Sequence, residues 1–215
     1  MADYIVIVSA ARTPIGGMLG DFSALAAHQL GAVAIKAAVE RAAVTGDAIS
    51  EVLMGNCLMA GQGQAPARQA ALGAGLPQSA GAVTLSKMCG SGMRAMMFAH
   101  DMLKAESAEI VVAGGMESMT NAPHLTFVRK GVRYGATQLF DHMAIDGLED
   151  AYERGRAMGV FAEECVDKYK FTREAMDRFA IMSTSSEPSA VVCNGRAAML
   201  HAPYTGHTRC SACAP

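Results

Sequence analysis

The sequence predicts an α/β layered domain with a mostly parallel sheet, and three observations carry that prediction. Short β-rich runs alternate with Ala-rich helical runs over residues 3–115. The β-rich runs are continuously apolar, as in strands covered on both faces. Turn residues punctuate the junctions between runs. The first run is Tyr4-Ile5-Val6-Ile7-Val8, broken by Arg12-Thr13-Pro14-Ile15-Gly16-Gly17. Ser23 is a good N-cap, and apolar residues at 25, 26, 30, 33 and 34 predict a helix from there to Val44. Thr45-Gly46-Asp47 stops it. Glu51-Val52-Leu53-Met54 reads as a second strand, and Pro66 suits the first turn of a second helix. Ala82-Val83-Thr84-Leu85 is a third strand, a long helix follows Cys89, and Ile110-Val111-Val112-Ala113 is a fourth strand.

Beyond this alternation the texture changes twice. Residues 116–182 are more polar, with patchy helical periodicity over Leu139–Leu148, Glu149–Lys170 and Arg173–Met182. Residues 183–215 open Ser183-Thr184-Ser185-Ser186-Glu187-Pro188 and show neither a sustained helix nor a strand pair. The expected division is therefore 1–116, 117–182 and an irregular tail over 183–215.

Composition excludes several functions. With 51% hydrophobic and 18% charged residues the chain should collapse rather than stay disordered. A net charge of −2, no basic block and no Trp leave nothing with which to hold nucleic acid. No apolar run approaches the ~20 residues of a membrane helix. The acidic start Met1-Ala2-Asp3-Tyr4 is unlike a secretory signal, so a cytoplasmic location with reduced thiols is expected. The six Cys (57, 89, 165, 193, 210 and 213) lack disulfide-framework spacing before the last stretch. Sixteen Met suit either an irregular core or an adaptable hydrophobic pocket.

One segment carries chemistry. In AVTLSKMCGSGMRAMMFAHDMLKAE (82–106) a strand turns sharply through Ser86-Lys87-Met88, and Cys89 opens a helix beside Gly90 and Gly92. A helix N-terminus offers unpaired N–H groups and partial positive charge, which favour a thiolate. The backbone N–H groups of Cys89 and Gly90 are expected to bind an oxyanion when that thiolate attacks a carbonyl. This is the nucleophile elbow with sulfur in place of oxygen, and it suits acyl transfer. A cysteine among apolar neighbours is otherwise a small core residue, and physics alone leaves both readings open. On the helix that follows, Arg94, His100, Asp101 and Lys104 share an arc of about 120°, and the rest of the circumference is apolar. Such a helix belongs in a central layer between two sheets. Strands for only one sheet are predicted, so part of the cover is expected from elsewhere.

At this point SAARTPIG (9–16), GQGQAPARQAAL (61–72), SKMCGSGMRA (86–95) and AGGMESM (113–119) resemble the N-terminal half of a thiolase. DGLEDAY (146–152) and MGVFAEE (158–164) resemble that family's CoA-binding loop domain, and the resemblance runs from residue 3 to about 182. GQGQAP alone is a weak imitation of a dinucleotide loop, since Pro66 stands where that fingerprint needs Gly. The resemblance implies a five-layered αβαβα fold of two similar halves, of which this chain holds one βαβαβαβ half plus a partial loop domain, the C-terminal half missing. It implies that Cys89 accepts an acyl group from a coenzyme A thioester. Condensation with a second acetyl-CoA, or thiolytic cleavage of a 3-ketoacyl-CoA, would follow. Leu148 and Met158 are implied to line the pantetheine and acyl pocket, with Ala157 where some members carry His. No cofactor and no metal are implied; acyl-CoA thioesters are substrates. A homo-oligomer, or association with a thiolase subunit, is the expected partnership.

The family pattern also requires a Gly-His-Pro histidine, a Cys-x-Gly cysteine and an Asn-Glu-Ala-Phe motif, which belong to its C-terminal half. Gly206-His207-Thr208 lacks the Pro, and Cys193-Asn194-Gly195 lacks the surrounding glycines. Without a placed base to move the Cα proton, little complete turnover is expected. A reading-frame change near residue 182 is expected to explain the tail. His201, His207, Cys210 and Cys213 make only a thin zinc pattern. Cys57 and Cys165 read as core thiols, and His28, His100, His124 and His142 as satisfied surface or interior histidines. Glu117 reads as a cap or loop-fixing carboxylate. Two further readings stay open: a ketoacyl-synthase-like condensing enzyme, and a non-catalytic fragment that binds acyl-CoA or a thiolase subunit.

Overall fold

In a computed structural model of the protein, which describes residues 5–132, 134–185 and 196–200, the alternation becomes a parallel sheet with helices on both faces. The elements are β1 (Ile5–Ala10), α1 (Ala27–Ala42), β2 (Glu51–Gly55), α2 (Pro66–Gly73), β3 (Gly81–Leu85), α3 (Ser91–Lys104) and β4 (Val111–Gly115), in the expected βαβαβαβ order. A helical region follows, with β5 (His124–Leu125), β6 (Phe140–Asp141), α4 (Met158–Tyr169) and α5 (Arg173–Ser185). The last described strand is β7 (Arg196–Leu200). The five long strands lie in the order β1-β7-β4-β2-β3, every neighbouring pair parallel. Past residue 183, where no strand is expected from the sequence, β7 thus joins the sheet between β1 and β4.

Burial follows position in the sheet. Val52, Leu53 and Met54 are buried, because β2 has a strand on either side and helices above and below. The first strand is not covered on both faces as expected: it is half-buried, with Ser9 alone fully so, because it is an edge strand. Alternate residues point to opposite faces. Val52, Met54 and Val112 join the cluster under α1 and α2 with Ile35, Val39 and Ala70. Leu53, Val111 and Ala113 instead meet Ala95, Ala99 and Leu103 of α3, an i, i+4 stripe of mostly small side chains.

Other departures from expectation have local causes. The first helix begins at Ala27 rather than after Ser23, because 20–25 close their own turns through Ser23 N–H to Gly20 C=O and Leu25 N–H to Phe22 C=O. Ala26 is the cap, its N–H donating to the Gln29 side chain at 2.8 Å. The helix expected over 149–170 begins only at Met158. Before it, the Gly155 N–H donates to the Glu149 carboxylate at 3.0 Å, with Gly155 at φ +85, and the Asp150 N–H donates to the Arg156 carbonyl at 2.9 Å. Those bonds close a loop instead of a helical turn. The stretch 139–148 likewise splits into β6 and one wide helical turn, Ala144–Leu148.

Candidate active site

The C-terminal ends of β2, β3 and β4 meet the start of α3, and the elbow is built there. Gly55 ends β2 against α3 so closely that a Cβ on it would lie 2.6 Å from the Ser91 carbonyl carbon and 2.7 Å from the Gly92 nitrogen. Both are backbone atoms that cannot yield, so only glycine allows this approach. Between β3 and α3 the chain turns through Lys87-Met88-Cys89-Gly90, with Met88 at φ +48. That conformation costs a non-glycine residue about 1–2 kcal/mol. Three donors offset it by converging on the Met88 carbonyl: the Ser91 N–H at 3.0 Å, the Ser91 hydroxyl at 2.5 Å and the Cys57 thiol at 3.0 Å. The Ser91 hydroxyl also accepts the Lys87 N–H at 2.8 Å. At the tip of this turn Cys89 is exposed, as is its neighbour Met88.

Two details differ from expectation. Cys89 does not open the helix; Gly90 caps it and Ser91 is its first residue. Of the two N–H groups expected to meet an oxyanion, that of Gly90 is already spent, donating to the Lys87 carbonyl at 3.1 Å to close the turn.

A polar brace lies beneath the elbow. The Glu117 carboxylate, just past β4, accepts from Asn56 Nδ2 at 2.7 Å, the Cys57 N–H at 2.8 Å and the Leu58 N–H at 3.2 Å. Asn56 is fully buried, and also donates to the Met116 carbonyl at 3.1 Å and accepts from Gln62 Nε2 at 2.9 Å. Cys57 is a half-buried thiol rather than a core one, and burial pushes its pKa up, so it stays S–H and can donate. Glu117 is the loop-fixing carboxylate the sequence suggests. Asn56, Gln62 and Ser91 were not singled out there; the available signals were Asn56 directly after the strand-ending Gly55, and Ser91 two residues past Cys89.

Leu148 and Met158 stand at the two ends of the 149–157 loop. An isolated bridge pairs Glu149 with Ala157, so the two residues flank it, both partly exposed. Their segment is tied to the 56–62 turn. Leu58 Cδ2 lies 3.2 Å from where a Gly147 Cβ would sit, and the buried His142 accepts the Ala60 N–H at 3.3 Å while its Nδ1 meets Asp146 at 2.7 Å. His142 is a satisfied interior histidine. Cys165 is exposed on α4 rather than in a core. A separate apolar groove of about 350 Å³ runs between β3 and α3, lined by Val83, Leu85, Phe98 and Met102; Cys89 is not part of it. Cys193, the His207 motif and the His201/His207/Cys210/Cys213 zinc pattern lie outside the described residues.

Residues 5–195 match the family described as "Thiolase, N-terminal domain". The chain belongs to the thiolase family. The matched span reaches 195, past the residue 182 at which the resemblance read from the sequence ends. Similar relatives include an acetyl-CoA acetyltransferase of Cupriavidus necator, 50% identical over 187 residues, covering 86% of this chain and 47% of the relative. A cytosolic acetyl-CoA acetyltransferase (ERG10) of Gibberella zeae is 49% identical over the same length and shares, and other matched acetyl-CoA acetyltransferases are mitochondrial by name. The structure of Acat5 thiolase from Ascaris suum in complex with coenzyme A superposes with a TM-score of 0.76 at 40% identity, covering 83% of this chain and 46% of that one. The chain thus spans about half the length of the thiolase relatives it matches.

Proposed function

We propose that this chain carries the acyl-accepting half of an acetyl-CoA C-acetyltransferase. The observation that supports it most is an exposed cysteine at the tip of a braced strand–turn–helix elbow, within a span that matches the thiolase N-terminal domain. In the proposed step the Cys89 thiolate adds to the thioester carbonyl of acetyl-CoA. The resulting oxyanion collapses with cleavage of the carbonyl–sulfur bond, releasing CoA thiolate and leaving S-acetyl-Cys89. With the Gly90 N–H engaged in the turn, the Cys89 N–H is the elbow donor assigned to that oxyanion. Leu148 and Met158, next to the bridged pair Glu149 and Ala157 at the two ends of their loop, are assigned to the pantetheine and acyl pocket. The family match favours this reading over a ketoacyl-synthase-like enzyme.

Two further parts belong to the same proposal. Among the described residues no helix is long and apolar enough to cross a membrane. The cytoplasm is the compartment we assign, which the free thiols Cys57, Cys89 and Cys165 support. A second copy of the chain or a thiolase subunit is the partner we assign to α3, whose Met93, Met97 and Phe98 are exposed. The experiment is incubation with acetyl-CoA followed by peptide mass spectrometry. One acetyl group on Cys89, absent after Cys89→Ala, is expected; acetylation spread over Cys57 and Cys165, or none at all, contradicts the proposal.

A further inference from the structure

We propose that Glu117 is a positioning residue for the Cys89 thiol, acting through Cys57 on the Met88 carbonyl. The proposal rests on Cys89 being the nucleophile and goes beyond it, since Glu117 touches no reacting atom.

The route is continuous. Glu117 takes three N–H donors, all from the turn that leaves β2: Asn56 Nδ2, Cys57 N–H and Leu58 N–H. A carboxylate has acceptor sites for all three, whereas an amide in its place would set its own NH2 against one of these donors. Holding the backbone of 57 and 58 fixes the direction of the Cys57 side chain, whose thiol lies 3.0 Å from the Met88 carbonyl and 3.5 Å from the Ser91 hydroxyl. Asn56 adds a second tie, its N–H donating to the Leu85 carbonyl at 3.0 Å where β3 runs into the elbow. Met88 is the residue in the left-handed conformation, and Cys89 is the next one. The two Ser91 donors stay on the Met88 carbonyl, and the Cys57 thiol is the third, which holds the peptide that carries Cys89 from the β2 side. The brace therefore sets where the sulfur sits relative to the elbow's backbone and its start-of-helix N–H groups, on which its thiolate character and its line of attack both depend.

The test compares alkylation by iodoacetamide of Cys89 with that of the remote, exposed Cys165 in the same folded chain, read peptide by peptide. Because alkylation needs no CoA, the result is separable from the acetylation experiment. Glu117→Gln is expected to lower the Cys89:Cys165 rate ratio about tenfold. Cys57→Ala removes the thiol from Met88 and from Ser91 while leaving the backbone bonds to Glu117, carries the test should Glu117→Gln not fold, and is expected to lower the ratio about threefold. Cys57→Ser keeps a donor in place and is expected to restore the parent ratio. A folded Glu117→Gln chain with the parent ratio, or a lower Tm with no change in ratio, makes Glu117 a structural brace only and overturns the proposal. So does a Cys57→Ala chain indistinguishable from Cys57→Ser. A parent chain in which Cys89 reacts no faster than Cys165 overturns the nucleophile reading, and this proposal with it.

Discussion

The two faces of the sheet are finished to different degrees. On one, α1 and α2 lie side by side, and their inward residues Ile35, Val39, Ala67, Ala70 and Ala71 are all buried with Val52, Met54 and Val112. On the other, α3 is alone among the described residues, burying Ala95, Ala99 and Leu103 but leaving Met93 62%, Met97 47% and Val83 48% exposed. The dimensions explain the difference. Five strands span about 20 Å, and a helix with its side chains covers about 10 Å, so two helices close a face that one cannot. Arg94, stacked over the Phe98 ring at 4.4 Å, is a thin cover for what remains. The closed face buries the larger apolar cluster. The open face carries the elbow, and the chain spans about half the length of its relatives. An apolar helix in this position is an inner layer by composition and an outer layer in the isolated chain.

The contrast can be broken most directly by a charge on each face. Ala70→Asp, wholly buried under α1, should cost about 4 kcal/mol or more and abolish the cooperative urea transition. Met97→Lys on the open face should shift stability by no more than about 0.5 kcal/mol and reduce self-association in sedimentation. Equal losses from both substitutions would erase the distinction. Gly55→Ala acts where the faces meet. Its Cβ would press on the backbone of Ser91 and Gly92, so a loss of about 1–3 kcal/mol and slower Cys89 alkylation are expected together. Lost stability with unchanged alkylation would separate the elbow from its support. The smallest effect lies at the other end of β2, where burial pushes the Glu51 carboxyl up from its ordinary range. The folded state then binds its proton more tightly than the unfolded chain. Its contribution is fully present below the ordinary glutamate pKa and is lost as pH rises through the raised value. Urea midpoints across the acid range should show a slight decline with rising pH that Glu51→Gln removes.

Much of the closed face was legible in the sequence, because its signals are local. Continuous apolar runs marked β2 and β4, helical spacing marked α1, and Pro66 marked the start of α2. The elbow was legible for the same reason, since strand, turn, Cys89 and glycines lie within one short segment. What escaped was set by partners distant in sequence or by competing local bonds. Asn56 and Cys57 meet Glu117 only because β2 and β4 are neighbours, a pairing about sixty residues apart that no window reveals. The sequence around Gly90 offers its N–H to an oxyanion but carries no sign that the turn itself uses it on the Lys87 carbonyl. The 149–157 loop has helical composition, yet its carboxylates bond their own backbone. The strand at 196–200 finds its place only between β1 and β4.

The reactivity of Cys89 relative to the other described thiols tests the account most directly. In folded protein treated with iodoacetamide near neutral pH, Cys89 should be alkylated first, the exposed Cys165 next, and Cys57, held protonated by burial, last. If Cys89 reacts no faster than Cys165, the elbow does not activate its sulfur, and the assignment of acyl transfer to this turn fails.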